Sequence, residues 1–234
     1  MALYCYVKAP PLISPRPHYR VISGFLTSIG IFILAIVFGT MAIYQWRSRE
    51  NFQRKTLLFS PIPRSSVLGE SEQNLNPVDY AKPKSWFLTV PSFPPRNSKI
   101  THYNLSIPAL GINQAVVEIG GEDLMKSMVH YSGTALPGQK GNAVIYCHSV
   151  LPQFFNPKNY KTICSTLPTI KKGSEIILYF DGIEYHYQIY EMFEVQPNDI
   201  SVLEQDISGE YLSLITCVPP GTFLRRLVVK ARLI

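Results

Sequence analysis

Cysteine, histidine and charge are all scarce in this sequence, and each scarcity argues against a class of function. No two of the four cysteines, Cys5, Cys147, Cys164 and Cys217, stand at C-x-x-C spacing, which argues against a zinc site. Only five histidines occur in 234 residues, so the candidates for a general base are few. Charged residues make up 16% of the chain, and they are unevenly spread. Residues 1–99 carry 12 Lys and Arg against 4 acids, while residues 100–234 carry 10 against 12. The C-terminal part therefore lacks the basic stripe that nucleic-acid binding needs. The net charge of +6 belongs to the N-terminal segments, where it suits the neighbourhood of anionic lipid or wall polymer.

What is present is apolar: 46% hydrophobic residues with 12% aromatics, enough for one core and its attachments. Residues 21–44, VISGFLTSIGIFILAIVFGTMAIY, contain no charge. At about 1.5 Å per residue this run crosses a hydrocarbon layer of about 30 Å, and it exceeds the h-region of about 7–15 residues typical of a signal peptide. A transmembrane helix is expected over 21–44, preceded by a tail, 1–20. Lys8, Arg16 and Arg20 precede the span and Arg47, Arg49, Arg54 and Lys55 follow it. This near tie leans against an exported C-terminal part, so charge alone leaves the topology open. Residues 45–97 are rich in Pro, Ser and Asn without sustained period, the composition of an extended linker. Within it, Trp86-Phe87 is either a sticky spot in a spacer or a cover for part of the domain.

From residue 98 onward strand signals recur: KITHYNLSIPAL, NQAVVEI, GNAVIYCHS, SEIILYF, IEYHYQIYEMFEV, YLSLITC and RLVVKARLI. Asp181-Gly182 predicts a two-residue hairpin turn, because glycine accepts positive φ without steric cost. Beyond it Ile183, Tyr185, Tyr187 and Ile189 alternate with Glu184, His186 and Gln188, which predicts one inward and one solvated face. Short helices are expected at 122–131, EDLMKSMVHY, and at 159–167, NYKTICSTL. Many short strands and few helices predict a mainly all-β domain over 98–234, a closed or nearly closed β-barrel.

The chemistry is concentrated at the C-terminus. Cys217 ends one apolar strand, Pro219-Pro220-Gly221 makes a loop, and Arg225-Arg226 opens the next strand. A thiolate gains from a nearby cation, and an acyl transition state gains from a donor aimed at its oxyanion. For a base, His18 precedes the apolar span, His186 sits on a polar strand face, His102 lies in the first strand and His130 in a loop approach. His148 ends an apolar strand beside a loop, where a rigid scaffold holds catalytic groups. A hydrogen-bonded structural histidine fits the same position. With three cysteines in the domain, at least one thiol stays free.

LSIPALGI, HYSGTALPGQKGNAVIYCHS and SLITCVPPGTFLRRLVV, in that order, resemble the sortases, cysteine transpeptidases of the bacterial cell surface. The resemblance implies an eight-stranded β-barrel, a cytoplasmic amino terminus and an extracytoplasmic catalytic domain. It implies that His148, Cys217 and Arg226 are catalytic, with Arg226 preferred to Arg225 because it directly precedes Leu227-Val228-Val229. Thr216 and Ser213 are expected to line a peptide groove. Two positions depart from the family pattern: a common glycine before the histidine is Cys147, and a usual threonine four residues before the cysteine is Ser213. Cys147 is expected to be buried and inert, directed opposite to His148. The calcium ligands of one branch do not map onto Glu118, Glu122 or Asp123, so no metal and no cofactor are expected. The implied substrates are exported proteins with LPXTG-like signals, and the acceptor is an amine of a cell-wall precursor or pilin. A hydrolase using the same residues, or a membrane-tethered barrel that binds polymers without chemistry, are the alternatives. Leu167 to Ile170, LPTI, lacks the Thr-Gly pair of a sorting signal and is expected to be structural.

Overall fold

The computed structural model describes residues 17–51, 53–54, 99–197 and 199–234. The tail with Cys5 and the linker over 55–97, with Trp86-Phe87, lie outside the described residues. Helix α1, Pro17–Asn51, contains the apolar span Val21–Tyr44, of mean hydropathy 2.5. It continues past Tyr44 into the stretch expected to begin the linker. Phe25, Phe32 and Phe38 are exposed, whereas two hydroxyls turn onto the helix backbone: Thr27 bonds the Ser23 carbonyl, and Ser28 the Gly24 carbonyl at 2.9 Å. Such back-bonding hides polar atoms in the helix backbone and leaves an apolar surface suited to lipid.

The C-terminal part is an eight-stranded mixed β-barrel. Its strands are β2 (His102–Ile107), β3 (Ile112–Ile119), β4 (Met128–His130), β5 (Gly141–Tyr146), β6 (Glu175–Phe180), β7 (Ile183–Val195), β8 (Glu210–Val218) and β9 (Arg225–Leu233). They follow the order β7-β6-β2-β3-β4-β5-β8-β9, and β9 pairs back onto β7, which closes the barrel. A two-residue strand, β1 (Gln53–Arg54), adds in parallel beside Phe193 and Glu194 of β7. β3–β4 and β5–β8 are parallel pairs, and the barrel's other pairs are antiparallel.

The strand expectations from residue 98 onward hold, and so does the hairpin: Asp181 and Gly182 both take positive φ, 53° and 76°. Along β7, Tyr187 and Ile189 are buried as alternation requires, but Ile183 at the hairpin tip is 53% exposed, because it lies beyond the strands that cover this face. A shift of register between Ile189 and Glu191 then brings Met192 inward.

Neither expected helix forms as an α-helix. Residues 124–126 make turns, and Met128 to His130 join the sheet between β3 and β5. There all three are buried, and sheet pairing overrides the helical spacing of Leu124 and Met128. Over 159–167 the chain winds through i→i−3 bonds, Thr162 N–H to Asn159, Ser165 to Thr162 and Leu167 to Cys164, and ends in a 3-10 turn, Leu167–Thr169. An α-helix would need the Cys164 N–H for its own chain, yet that group donates to the His148 carbonyl at 3.1 Å. Leu167, first residue of LPTI, is fully buried, as a structural role requires.

Candidate active site

Register alone aligns the residues singled out by the sequence. In the parallel pair β5–β8 the partners run from Gly141↔Glu210 to Tyr146↔Ile215, a constant offset of 69. Beyond the last pair the Cys147 N–H still donates to the Ile215 carbonyl at 3.0 Å, and the Thr216 hydroxyl to the Cys147 carbonyl at 2.9 Å. Carried one residue further, the same offset sets His148 beside Cys217. On the other side of β8, Cys217 pairs directly with Arg226 of β9. Because side chains alternate, directly opposed residues share a face. Arg226 thus stands on the Cys217 side. Arg225 lies on the reverse side of β9, 3.8 Å from the buried Glu194 carboxylate. Cys217 and Arg226 share one face of the β8–β9 pair, and His148 follows two residues beyond the end of β5 at the same rim.

Electrostatics at the rim follow from burial. Cys217 is only 3% exposed and belongs to an apolar cluster with Tyr146, Val195, Ile215 and Val228. Among the described residues it is the one free cysteine. Burial pushes its thiol up to about 11, and the Arg226 charge pulls against this rise. Arg226 is 1% exposed and donates through one terminal nitrogen to the carbonyls of Phe223 and Arg225, at 3.1 and 3.3 Å. Those two contacts tie the guanidinium to the β8–β9 connection. Tyr146, also buried, has its phenol raised by burial and by Tyr131, with Arg226 lowering it.

His148 is half-buried. Its Nδ1 lies 2.7 Å from the Lys161 carbonyl. A carbonyl only accepts, so Nδ1 carries a proton and Nε2 of the neutral ring is left to take one. The Ser149 hydroxyl, next along, donates to the Cys217 carbonyl at 2.8 Å and binds the two strand ends together.

The remaining sequence candidates are placed differently. Ser213 is fully buried, four residues from Cys217 along the strand, which is roughly 13 Å at strand rise, and its hydroxyl donates to Asn142 Oδ1 at 2.8 Å. Thr216 is fully buried as well, with its hydroxyl on the Cys147 carbonyl. Neither hydroxyl lines an open groove here; both join strands. His130 is buried between Tyr103 and Thr134, at 2.8 and 3.0 Å. The exposed-face His186 contacts Glu175 and Glu184 at 2.7 and 3.2 Å.

Cys147 is 1% exposed, as expected, but it is not an inert, solitary thiol: it forms a disulfide with Cys164. Sequence reasoning missed that bond and the Lys161 carbonyl. A signal for the bond existed, since a free nucleophilic cysteine leaves the domain's other two to pair. None existed for the carbonyl, which any residue supplies.

A buried thiol, an imidazole with an open Nε2 and a guanidinium on one rim can perform nucleophilic acyl transfer: attack, proton shuttling and oxyanion stabilisation. Comparison with known proteins gives the same indication. The sortase domain family matches residues 105–234. Sortase A of Bacillus anthracis is 29% identical over 133 residues, 56% of this chain and 58% of that protein. Sortase D of Bacillus subtilis is 26% identical over 151 residues, 64% of this chain and 67% of that one. The chain thus spans well under two thirds of the first of these relatives. Among solved structures, sortase A from Corynebacterium diphtheriae superposes with a TM-score of 0.50 at 26% identity, over 59% of this chain and 63% of that one.

Proposed function

The chain belongs to the sortase family, and on that premise we propose that it is a membrane-anchored cysteine transpeptidase acting on LPXTG-like carboxy-terminal signals of exported proteins. The observation that supports this proposal is register: Cys217 pairs with Arg226, and the β5–β8 offset, continued two residues past its last pair, meets Cys217 at His148. With its thiol raised to about 11, Cys217 holds about one part in ten thousand as thiolate at pH 7. The thiol proton therefore passes to His148 Nε2 as Sγ attacks the scissile carbonyl. Arg226, permanently charged, steadies the developing oxyanion. The imidazolium then gives its proton to the departing amine, the C–N bond breaks and a thioester to Cys217 remains. An incoming amine of a cell-wall precursor or pilin attacks the thioester, Nε2 takes its proton, and the C–S bond breaks as the imidazolium returns that proton to sulfur, restoring the thiol and the neutral ring. One amide is broken and one is formed, with no cofactor.

Helix α1 supplies the anchor, with its amino terminus cytoplasmic and the barrel outside. The Cys147–Cys164 disulfide supports this topology independently of the balanced charge count, since such bonds persist in oxidising compartments. Mass spectrometry of the protein with a pool of LPXTG-like peptides tests the proposal. An adduct on Cys217, absent in Cys217→Ala and converted to an amide product when an amine is added, is the expected result. Acid products alone, at saturating amine, would make the protein a hydrolase. No adduct from folded protein with a free Cys217 thiol would favour a binding module.

A further inference from the structure

The segment from Ser149 to Ile163 contains no strand and one 3-10 turn, Pro152–Phe154. It nevertheless supplies the acceptor for His148 Nδ1, the Lys161 carbonyl, 13 residues along the chain. What returns that carbonyl to the histidine lies three residues further on, at Cys164. There the N–H donates to the His148 carbonyl at 3.1 Å, and the sulfur is bonded to Cys147, the residue before His148. Cys147 is moored in turn to β8, the strand of Cys217, by its bonds with Ile215 and Thr216 at 3.0 and 2.9 Å. A short path of two hydrogen bonds and one disulfide thus runs from β8 through Cys147 and Cys164 to the backbone that orients the imidazole. Both half-cystines are buried, at 1% and 0% exposure.

We propose that the Cys147–Cys164 disulfide is a positioning element of the catalytic centre, holding the Lys161 carbonyl on His148 so that Nε2 remains the proton-accepting nitrogen. Without the crosslink, the hydrogen bonds left to close the loop include the Cys164 N–H to the His148 carbonyl, the Val150 N–H to the Ser165 hydroxyl at 2.9 Å and, beside Lys161, the Val116 N–H to the Tyr160 hydroxyl at 2.9 Å. Loosening the loop frees the ring to rotate and lets either nitrogen carry the proton. A ring protonated at Nε2 cannot accept from Cys217. The bond forms under oxidising conditions, so the centre reaches full order only after the barrel has left the cytoplasm. The effect on turnover rests on the transpeptidase proposal; the effect on the imidazole does not.

The test uses the full chain in detergent micelles with ring-labelled histidine, as wild type and as Cys147→Ser/Cys164→Ser. A second arm treats folded wild type with a water-soluble phosphine. Phosphorus is oxidised to the phosphine oxide with oxygen from water, the S–S bond breaks, and the two protons of that water complete two thiols. This arm decides the matter if the double variant does not fold. Nitrogen-15 correlation spectra report the His148 tautomer, and an LPXTG-type fluorogenic peptide reports kcat and KM. The intact bond should give a single Nδ1–H tautomer. Its loss should give a mixed population and a kcat at least tenfold lower, with KM within twofold. An unchanged tautomer overturns the proposal whatever happens to kcat, and so does a mixed tautomer with unchanged kcat. If oxidised wild type cleaves no peptide while its tautomer responds to reduction, the transpeptidase proposal fails and the clamp on the imidazole stands.

Discussion

Ionising Cys217 should cost the barrel stability across a defined pH window. Burial raises the thiol from 9.0 to about 11, against the opposing pull of Arg226. A rise of two pH units at about 1.4 kcal/mol each amounts to about 3 kcal/mol. The sign follows from proton binding. Below about pH 9 folded and unfolded chains both hold the proton, and the contribution is fully present. Between about 9 and 11 the unfolded chain releases its proton while the folded one keeps it, so stability falls with rising pH; above 11 the loss is complete. Tyr103, Tyr131, Tyr146, Tyr187 and Tyr190 are also raised, chiefly by burial, and they slope the curve in the same direction. The informative quantity is therefore the difference between wild type and Cys217→Ala, measured by urea unfolding of residues 98–234 from pH 8 to 11.5. Wild type should lose about 3 kcal/mol relative to the variant across that interval. Parallel curves would refute the burial argument, and with it the need for His148 to take the thiol proton.

Arg226→Lys keeps the charge but loses the rigid, planar guanidinium whose one terminal nitrogen holds the Phe223 and Arg225 carbonyls; peptide-cleavage assays should show kcat/KM at least tenfold lower. Arg225→Ala, altering the partner of Glu194 on the opposite face, should leave kcat/KM within threefold. Cys147→Ser/Cys164→Ser opens a crosslink between residues 17 apart in sequence, and denaturant titration should show a loss of about 3 kcal/mol by the loop-entropy relation. Gly138→Ala would drive a Cβ into the Tyr185 ring at a φ of +75°; calorimetry should record a loss of about 1–3 kcal/mol.

Legibility in the sequence tracked the length scale of each interaction. Alternation along β7, the Asp181-Gly182 turn and the apolar run of α1 are local patterns, and each could be seen without a fold. Strand period told only that Arg225 and Arg226 face opposite ways; the preference for Arg226 came from the resemblance, through its place before Leu227-Val228-Val229. The helix expected at 122–131 failed because the pairing of Met128 to His130 with β3 is decided by residues elsewhere in the barrel. The winding at 159–167 likewise answers to His148, to which Cys164 gives its N–H. Ser213 and Thr216 read as groove residues because a hydroxyl near a nucleophile suggests a ligand contact, whereas their actual partners are Asn142 and Cys147. The Lys161 carbonyl had no signature at all, since the backbone is common to every residue.

The 69-residue offset between β5 and β8 separates this chain into parts that tolerate changes of length and parts that do not. An extra residue in the connection over 219–224, or in most of the segment after His148, is absorbed outside the ladder. An extra residue inside β5 or β8 would turn every later side chain in that strand to the opposite face. His148 or Cys217 would then point away from the other, with the barrel still closed and its composition intact. Engineering of substrate preference should therefore work by lengthening or exchanging connections at the rim, while library diversity within β5, β8 and β9 is restricted to substitutions that preserve residue count.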